Sequence, residues 1–232
     1  MRRFIAIFIL AGSLHAETSG TLLFSDDFSR DETDPHKENI GNGWTTNSGW
    51  RAPGKKQADL QDGILVVGTD PSANHALVLF HPAALTHGSV EFRFKLPAEE
   101  SIGIEFADAD CKSVHAGHLC GLTIGKGRLT LTDMKTGGMD LKIRERRSAE
   151  KNDPELIALL KTKTQSFPIK LSPDDWHTLS LTVKGDTLSA NVDGKEIGNF
   201  ASKGIAHPTK KEIRLNIGKT ASIDDMKIWK HE

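Results

Sequence analysis

The chain contains no tyrosine, and only ten phenylalanines and four tryptophans supply aromatic rings in 232 residues. A sugar site built on flat aromatic platforms therefore has few residues to draw on: Trp44, Trp50, Trp176 and Trp229. An excess of charge of one sign is missing as well, since 30 Lys and Arg face 31 Asp and Glu. A balanced surface raises no long-range field to gather nucleic acid or anionic membrane, which argues against both as partners. No stretch approaches the roughly 20 apolar residues of a membrane-spanning helix. Internal repeats, low-complexity tracts and Pro-rich linkers are lacking too, which favours one domain.

What is present begins with a leader-like segment. Met1-Arg2-Arg3 is basic, Phe4 to Gly12 is apolar, and Ser13-Leu14-His15-Ala16 offers small residues for cleavage. This is the three-part pattern of a secretory signal peptide. The expectation is a signal peptide over 1–16, a single domain over 17–232, and a secreted or periplasmic location. In an exported protein, the even pair Cys111 and Cys120 predicts a disulfide.

From Thr21 onward the dominant period is two. Val90-Glu91-Phe92-Arg93-Phe94-Lys95-Leu96, Leu179 to Lys184 and Ile213 to Ile217 alternate apolar and polar residues. Each reads as a strand with one face on a core and one in water. Gly125-Lys126-Gly127, Lys184-Gly185-Asp186-Thr187 and Asp193-Gly194 punctuate the runs as hairpin turns. About a dozen closely spaced strands predict an all-β antiparallel sandwich or jelly roll. One segment departs from this. Asp153 caps, Pro154 opens, and Leu156, Leu159 and Leu160 share a face, so one short inserted helix is expected over 154–163. The charged run Arg144-Glu145-Arg146-Arg147 before it reads either as a solvated stretch or as an anion site.

Several stretches carry a family resemblance. Trp176-His177-Thr178-Leu179-Ser180-Leu181-Thr182-Val183, Asn191-Val192-Asp193-Gly194-Lys195 and Ile223 to Trp229 resemble strands of the concanavalin A-like lectin/glucanase and laminin G-like domains. Phe24-Ser25-Asp26-Asp27-Phe28, Gly43-Trp44 and Asp62 to Val66 resemble the opening of the same fold. Within that superfamily the layout is similar to 3-keto-disaccharide hydrolase-like domains. The resemblance implies a concanavalin A-like sandwich. It leaves activity open, because one sandwich hosts hydrolases, lectins and adhesion modules.

The candidate sites follow. Glucanases of this fold carry Glu-x-Asp-x-x-Glu on one strand, and that spacing is absent. Glu105 and Asp108, three apart, face opposite sides of a regular strand and do not make the carboxylate pair of a glycosidase. His115 and His118, between Cys111 and Cys120, read as a metal loop, as part of a disulfide-closed loop, or as catalytic groups of a sugar pocket. Trp44, Trp50 and Arg51 lie in a Gly- and Asn-rich loop and are the expected ligand-binding residues, whereas Trp176 and Trp229 are expected in the core. Related sandwiches hold a structural calcium where the terminal strands meet, and Asp26 and Asp224, with Asp27 and Asp225, are its candidate ligands. Two functions stand side by side. One is a secreted carbohydrate-binding or adhesion module. The other is a hydrolase or lyase acting on a (3-keto-)disaccharide.

Overall fold

A computed structural model of the chain describes residues 20–232 except 33 and 35; the signal-peptide expectation lies outside the described residues. Fifteen strands are described. In chain order they are β1 (Thr21–Asp26), β2 (Thr45–Thr46), β3 (Ala58–Gln61), β4 (Ile64–Gly68), β5 (Leu77–Leu85), β6 (His87–Lys95), β7 (Ser101–Ala107), β8 (His118–Gly125), β9 (Arg128–Asp133), β10 (Thr164–Pro168), β11 (His177–Lys184), β12 (Thr187–Val192), β13 (Lys195–Ala201), β14 (Lys210–Ile217) and β15 (Thr220–His231).

They form two antiparallel sheets. Sheet A has the order β13-β12-β11-β6-β15-β4-β3, with β1 also on β15. Sheet B has the order β10-β9-β8-β7-β14-β5-β2. The long strand β15 pairs with β6 on one side. On its other side it pairs first with β4 and then with β1. The alternating runs dictate which side chains meet between the sheets. Phe92 and Phe94 of β6 and Ile102, Ile104 and Phe106 of β7 are all fully buried in one core. Each such side chain contributes roughly 1.5–3 kcal/mol of burial. The all-β sandwich expected from the alternation is therefore the observed architecture.

Three hairpins owe their register to two-residue turns with positive φ at both central positions. These are Asp62-Gly63, Lys126-Gly127 and Asp193-Gly194, the geometry that matches strand twist.

The insertion between β9 and β10 differs from expectation. It holds two helices, α2 (Leu141–Ala149) and α3 (Pro154–Lys161), where one was expected; a short α1 (Ser48–Arg51) lies earlier. Asp140 caps α2 by accepting from the backbone N–H of Lys142 and Ile143. The helix was not legible because it buries none of its side chains, so no apolar stripe marks it. Asp153 caps α3 as expected, and Leu156 anchors it.

The disulfide is also corrected. Cys111 and Cys120 are free thiols. Cys120 sits opposite Phe106 and Asp133 in β8 with its side chain in the core. The Cys111 Sγ lies instead 3.5 Å from Ser113 Oγ.

Candidate functional site: the outer face of sheet B

Alternation in β5, β14, β7 and β8 turns Leu79, Leu215, Ile104 and Leu122 inward. It turns Phe80, Arg214 and Glu105 outward, in register, with Phe80 opposite Arg214 and Arg214 opposite Glu105. This outer face carries an unbroken line of polar and aromatic groups. Trp50 of α1, 62 % exposed, lies over Phe80 with ring centroids 6.3 Å apart at 33°. The Arg214 guanidinium stands 5.5 Å above the Phe80 ring, and its Nε donates to Glu212 Oε1 at 2.6 Å. Glu105 accepts from Asn216 Nδ2 at 3.0 Å and from His118 Nδ1 at 2.8 Å. His115 stacks on His118 at 6.1 Å and 21°. From β5 to β8 the line crosses three inter-strand steps, about 14 Å at the usual spacing.

The platform residue is held in place from both sides. α1 has four residues, too few to persist alone. Asn47 ties it to β5 by mimicking a strand partner: its Oδ1 accepts from Val78 N–H at 3.0 Å and its Nδ2 donates to Ala76 O at 2.9 Å. Glu38 accepts from Ser48 Oγ at 2.8 Å and from the N–H of Gln57 and Ala58. Arg51 donates to Asn74 Oδ1 at 3.2 Å beside the platform.

Glu105 is 3 % exposed although it lies on the outer face. Burial opposes its ionisation, but the hydrogen bond and charge of His118, with Asn216 and Arg214, outweigh it and hold the carboxyl below its ordinary range. An ionised carboxylate only accepts, so His118 donates to it from Nδ1. Burial, then the charges of Arg144 and His118, hold His115 below the usual imidazole range.

Other expected residues lie elsewhere. Trp44 is not a platform. It is 6 % exposed, packs on Phe24, Phe28 and His81, and donates from Nε1 to Asp26 Oδ2 at 2.9 Å. Trp229 on β15 and Trp176 just before β11, both expected in the core, are half-buried; Arg93 and Lys95 cover the Trp176 ring at 4.8 and 5.4 Å. Asp108, past the end of β7, bonds Thr209 and faces Lys211, so it forms no pair with Glu105.

The calcium ligands fit poorly. Both oxygens of Asp26 are taken by Arg30, at 2.6 and 2.9 Å, and by Trp44 and the Phe28 N–H. Asp224 and Asp225 share Arg93 Nη1 at 3.2 and 3.3 Å, and burial with the charges of Asp225 and Asp27 raises the Asp224 carboxyl. A cationic side chain already stands at each acidic doublet. No cluster of three or more His, Cys, Asp or Glu placed to hold a metal occurs among the described residues, at the 108–120 loop or elsewhere.

Sequence reasoning singled out His115, His118, Trp50 and Arg51; the structure brings His118, the His115 stacked on it and Trp50 to this face, while Arg51, the next residue of α1, turns to Asn74. Sequence reasoning missed Phe80, Arg214, Asn216 and the role of Glu105. The alternation marks Glu105, Arg214 and Asn216 as outward residues, whereas Phe80 ends the apolar run Leu77-Val78-Leu79-Phe80; and pairing 111 positions apart, as between Glu105 and Asn216, leaves no local signal.

No family model matches the chain, and no curated protein matches it in sequence. Solved structures do match. SCLam, a non-specific endo-β-1,3(4)-glucanase from family GH16, superposes with a TM-score of 0.59 at 13 % identity, over 91 % of each chain. The endo-β-1,3-glucanase from Pyrococcus furiosus gives 0.58 at 13 %, over 90 % of this chain and 94 % of that one. The laminarinase from Rhodothermus marinus gives 0.60 at 13 %, over 91 % and 97 %. At these identities the likeness speaks for the fold: the chain is a concanavalin A-like jelly roll of the kind these glucanases have.

Proposed function

We propose that this protein is a carbohydrate-binding module, exported by its apolar leader, whose glycan lies on the outer face of sheet B across Trp50, Phe80, Arg214 and Glu105. The observation that carries the reading is the exposed Trp50 ring. It is backed by Phe80, which carries the Arg214 guanidinium on the same outer face, and polar groups ordered by their own hydrogen bonds (Glu105 with Asn216 and His118) lie further along that face. An apolar ring face with polar groups at its edge is what a sugar ring requires. The glucanases of similar structure support the ligand class.

Hydrolysis by two carboxyl groups is the weaker reading. Its general acid needs a raised pKa, whereas Glu105 is held low, and Ala107 stands where the next outward residue of β7 falls. The enzyme alternative rests on one specific feature, the buried carboxylate that orients His118. Such a pair presents Nε2 as a base, as a lyase or hydrolase of a keto-disaccharide would need.

A glycan array combined with a turnover assay on the same oligosaccharides tests both. Binding that Trp50→Ala weakens, with no product formed, supports the module. Product formation abolished by His118→Ala supports the enzyme. Binding indifferent to Trp50→Ala overturns the assignment to this face.

A further inference from the structure

The β8 end of this face borders two arginines that the fold leaves without acidic partners. The turn at residues 113–115 is tied to the start of α2. His115 N–H donates to Met139 O at 2.8 Å, Leu141 N–H donates to Ser113 O at 3.0 Å, and Val114 bridges Asp140. This brings the first turns of α2 beside His115. Arg144 and Arg147, three apart, share one side of that helix. Arg144 Nη1 lies 3.7 Å from Met139 Sδ, and the Arg147 guanidinium lies against Gly138. The remaining arginine of the run behaves differently: Arg146 turns away to Asp153 and Glu155 of α3.

Neither Arg144 nor Arg147 makes an ion pair among the described residues. The neighbouring acids are spent or turned aside. Asp140 accepts from the α2 backbone, Asp110 pairs with Lys211, and Glu145 follows Arg144 directly, so the two point different ways round the helix. Burial and the charge of Arg144 hold the neighbouring His115 below its usual range, and His118 is already paired with Glu105, so the positive charge here is that of the two arginines. Two guanidinium groups without an ion pair therefore stand at one end of the glycan face, in a chain whose overall charge is close to zero. A planar guanidinium fork suits carboxylate and sulfate oxygens.

We propose that the glycan carries a negatively charged group, a uronate carboxylate or a sulfate ester, and that Arg144 and Arg147 receive it beside His115. This rests on the reading of the outer face of sheet B as the glycan site. It goes further in assigning the ligand to acidic saccharides and the charged subsite to α2.

The test titrates the full chain with three oligosaccharide series of matched length: neutral β-1,3-glucan, polyuronate and sulfated galactan. Each is measured at low and at roughly 0.3 M salt, where exposed charges are screened. One acidic series is expected to bind about tenfold or more tightly than the neutral one, and to weaken with salt; which series does so names the anion. The Arg144→Gln/Arg147→Gln double variant is expected to lose that advantage and the salt dependence, with an unchanged melting temperature and unchanged neutral-glucan binding. Trp50→Ala is expected to weaken every series. Neutral glucan binding best, or a double variant that holds the acidic glycan as well as wild type, overturns the charged subsite while the face assignment stands. Binding indifferent to Trp50→Ala, or absent in all three series, overturns the face assignment and the subsite with it.

Discussion

His118 Nδ1 lies 2.8 Å from Glu105 Oε2, joining β8 to β7 through a carboxylate that is 3 % exposed. The pair is local to the outer face of sheet B, and it makes the face respond to acid. Glu105 has its pKa depressed in the folded chain. Its contribution to stability is therefore complete above its unfolded pKa and is lost as pH falls through the lower folded value. Glu105→Gln is expected to flatten the fall in melting temperature between about pH 5 and pH 3; parallel wild-type and variant curves contradict the coupling. His118→Ala leaves the buried carboxylate short of a donor and is expected to cost about 1–3 kcal/mol at neutral pH by denaturant titration.

The first acidic doublet is held by an arginine. Arg30 makes a two-pronged contact with Asp26 and donates from Nε to Ile40 O at 2.8 Å. Arg30→Ala, which leaves Asp26 buried without its cation, is expected to destabilise by about 3 kcal/mol. The wild-type melting temperature is expected to be the same in millimolar calcium and in chelator. A rise with calcium contradicts this assignment and restores the metal ligands inferred from the sequence.

The cysteines offer a chemical check. Burial, chiefly, pushes the Cys120 thiol up to about 12, so it carries almost no thiolate at neutral pH and resists alkylation. Cys111 is half-buried at the surface. Mass measurement without reductant is expected to show one adduct on the native protein and two after unfolding. No adduct on the unfolded, unreduced chain contradicts two free thiols.

The architecture was legible because half-buried antiparallel strands advertise themselves residue by residue. β6, β11 and β14 each fall on an alternating run, and the turn at Asp193-Gly194 needs no tertiary information. The site was legible in part. His118 and Trp50 stood out as chemistry-bearing residues on polar loops, and both reached the same face. Trp44, on the same loop as Trp50, did not, because its indole turns inward to Asp26, and nothing local distinguishes the two rings. Arg144 and Arg147 were visible as a charged run. That their helix starts beside His115 depends on backbone contacts between residues 113–115 and 139–141, which no periodicity encodes. The rejected Glu105–Asp108 pair was rightly rejected, but the true partner of Glu105 lay on the next strand, thirteen residues on.

The most direct test of the central claim is chemical-shift mapping of the labelled protein with the best-binding saccharide from the array. The expected perturbations centre on the Trp50 indole N–H and on the backbone amides of Phe80, Glu105, Arg214 and Asn216. The Trp50→Ala variant is expected to lose about tenfold in affinity, some 1.4 kcal/mol. Perturbations confined to sheet A, around Trp176 and Trp229, or to the sandwich end formed by Leu96, Gly125 and Leu171, would contradict a glycan site on the outer face of sheet B.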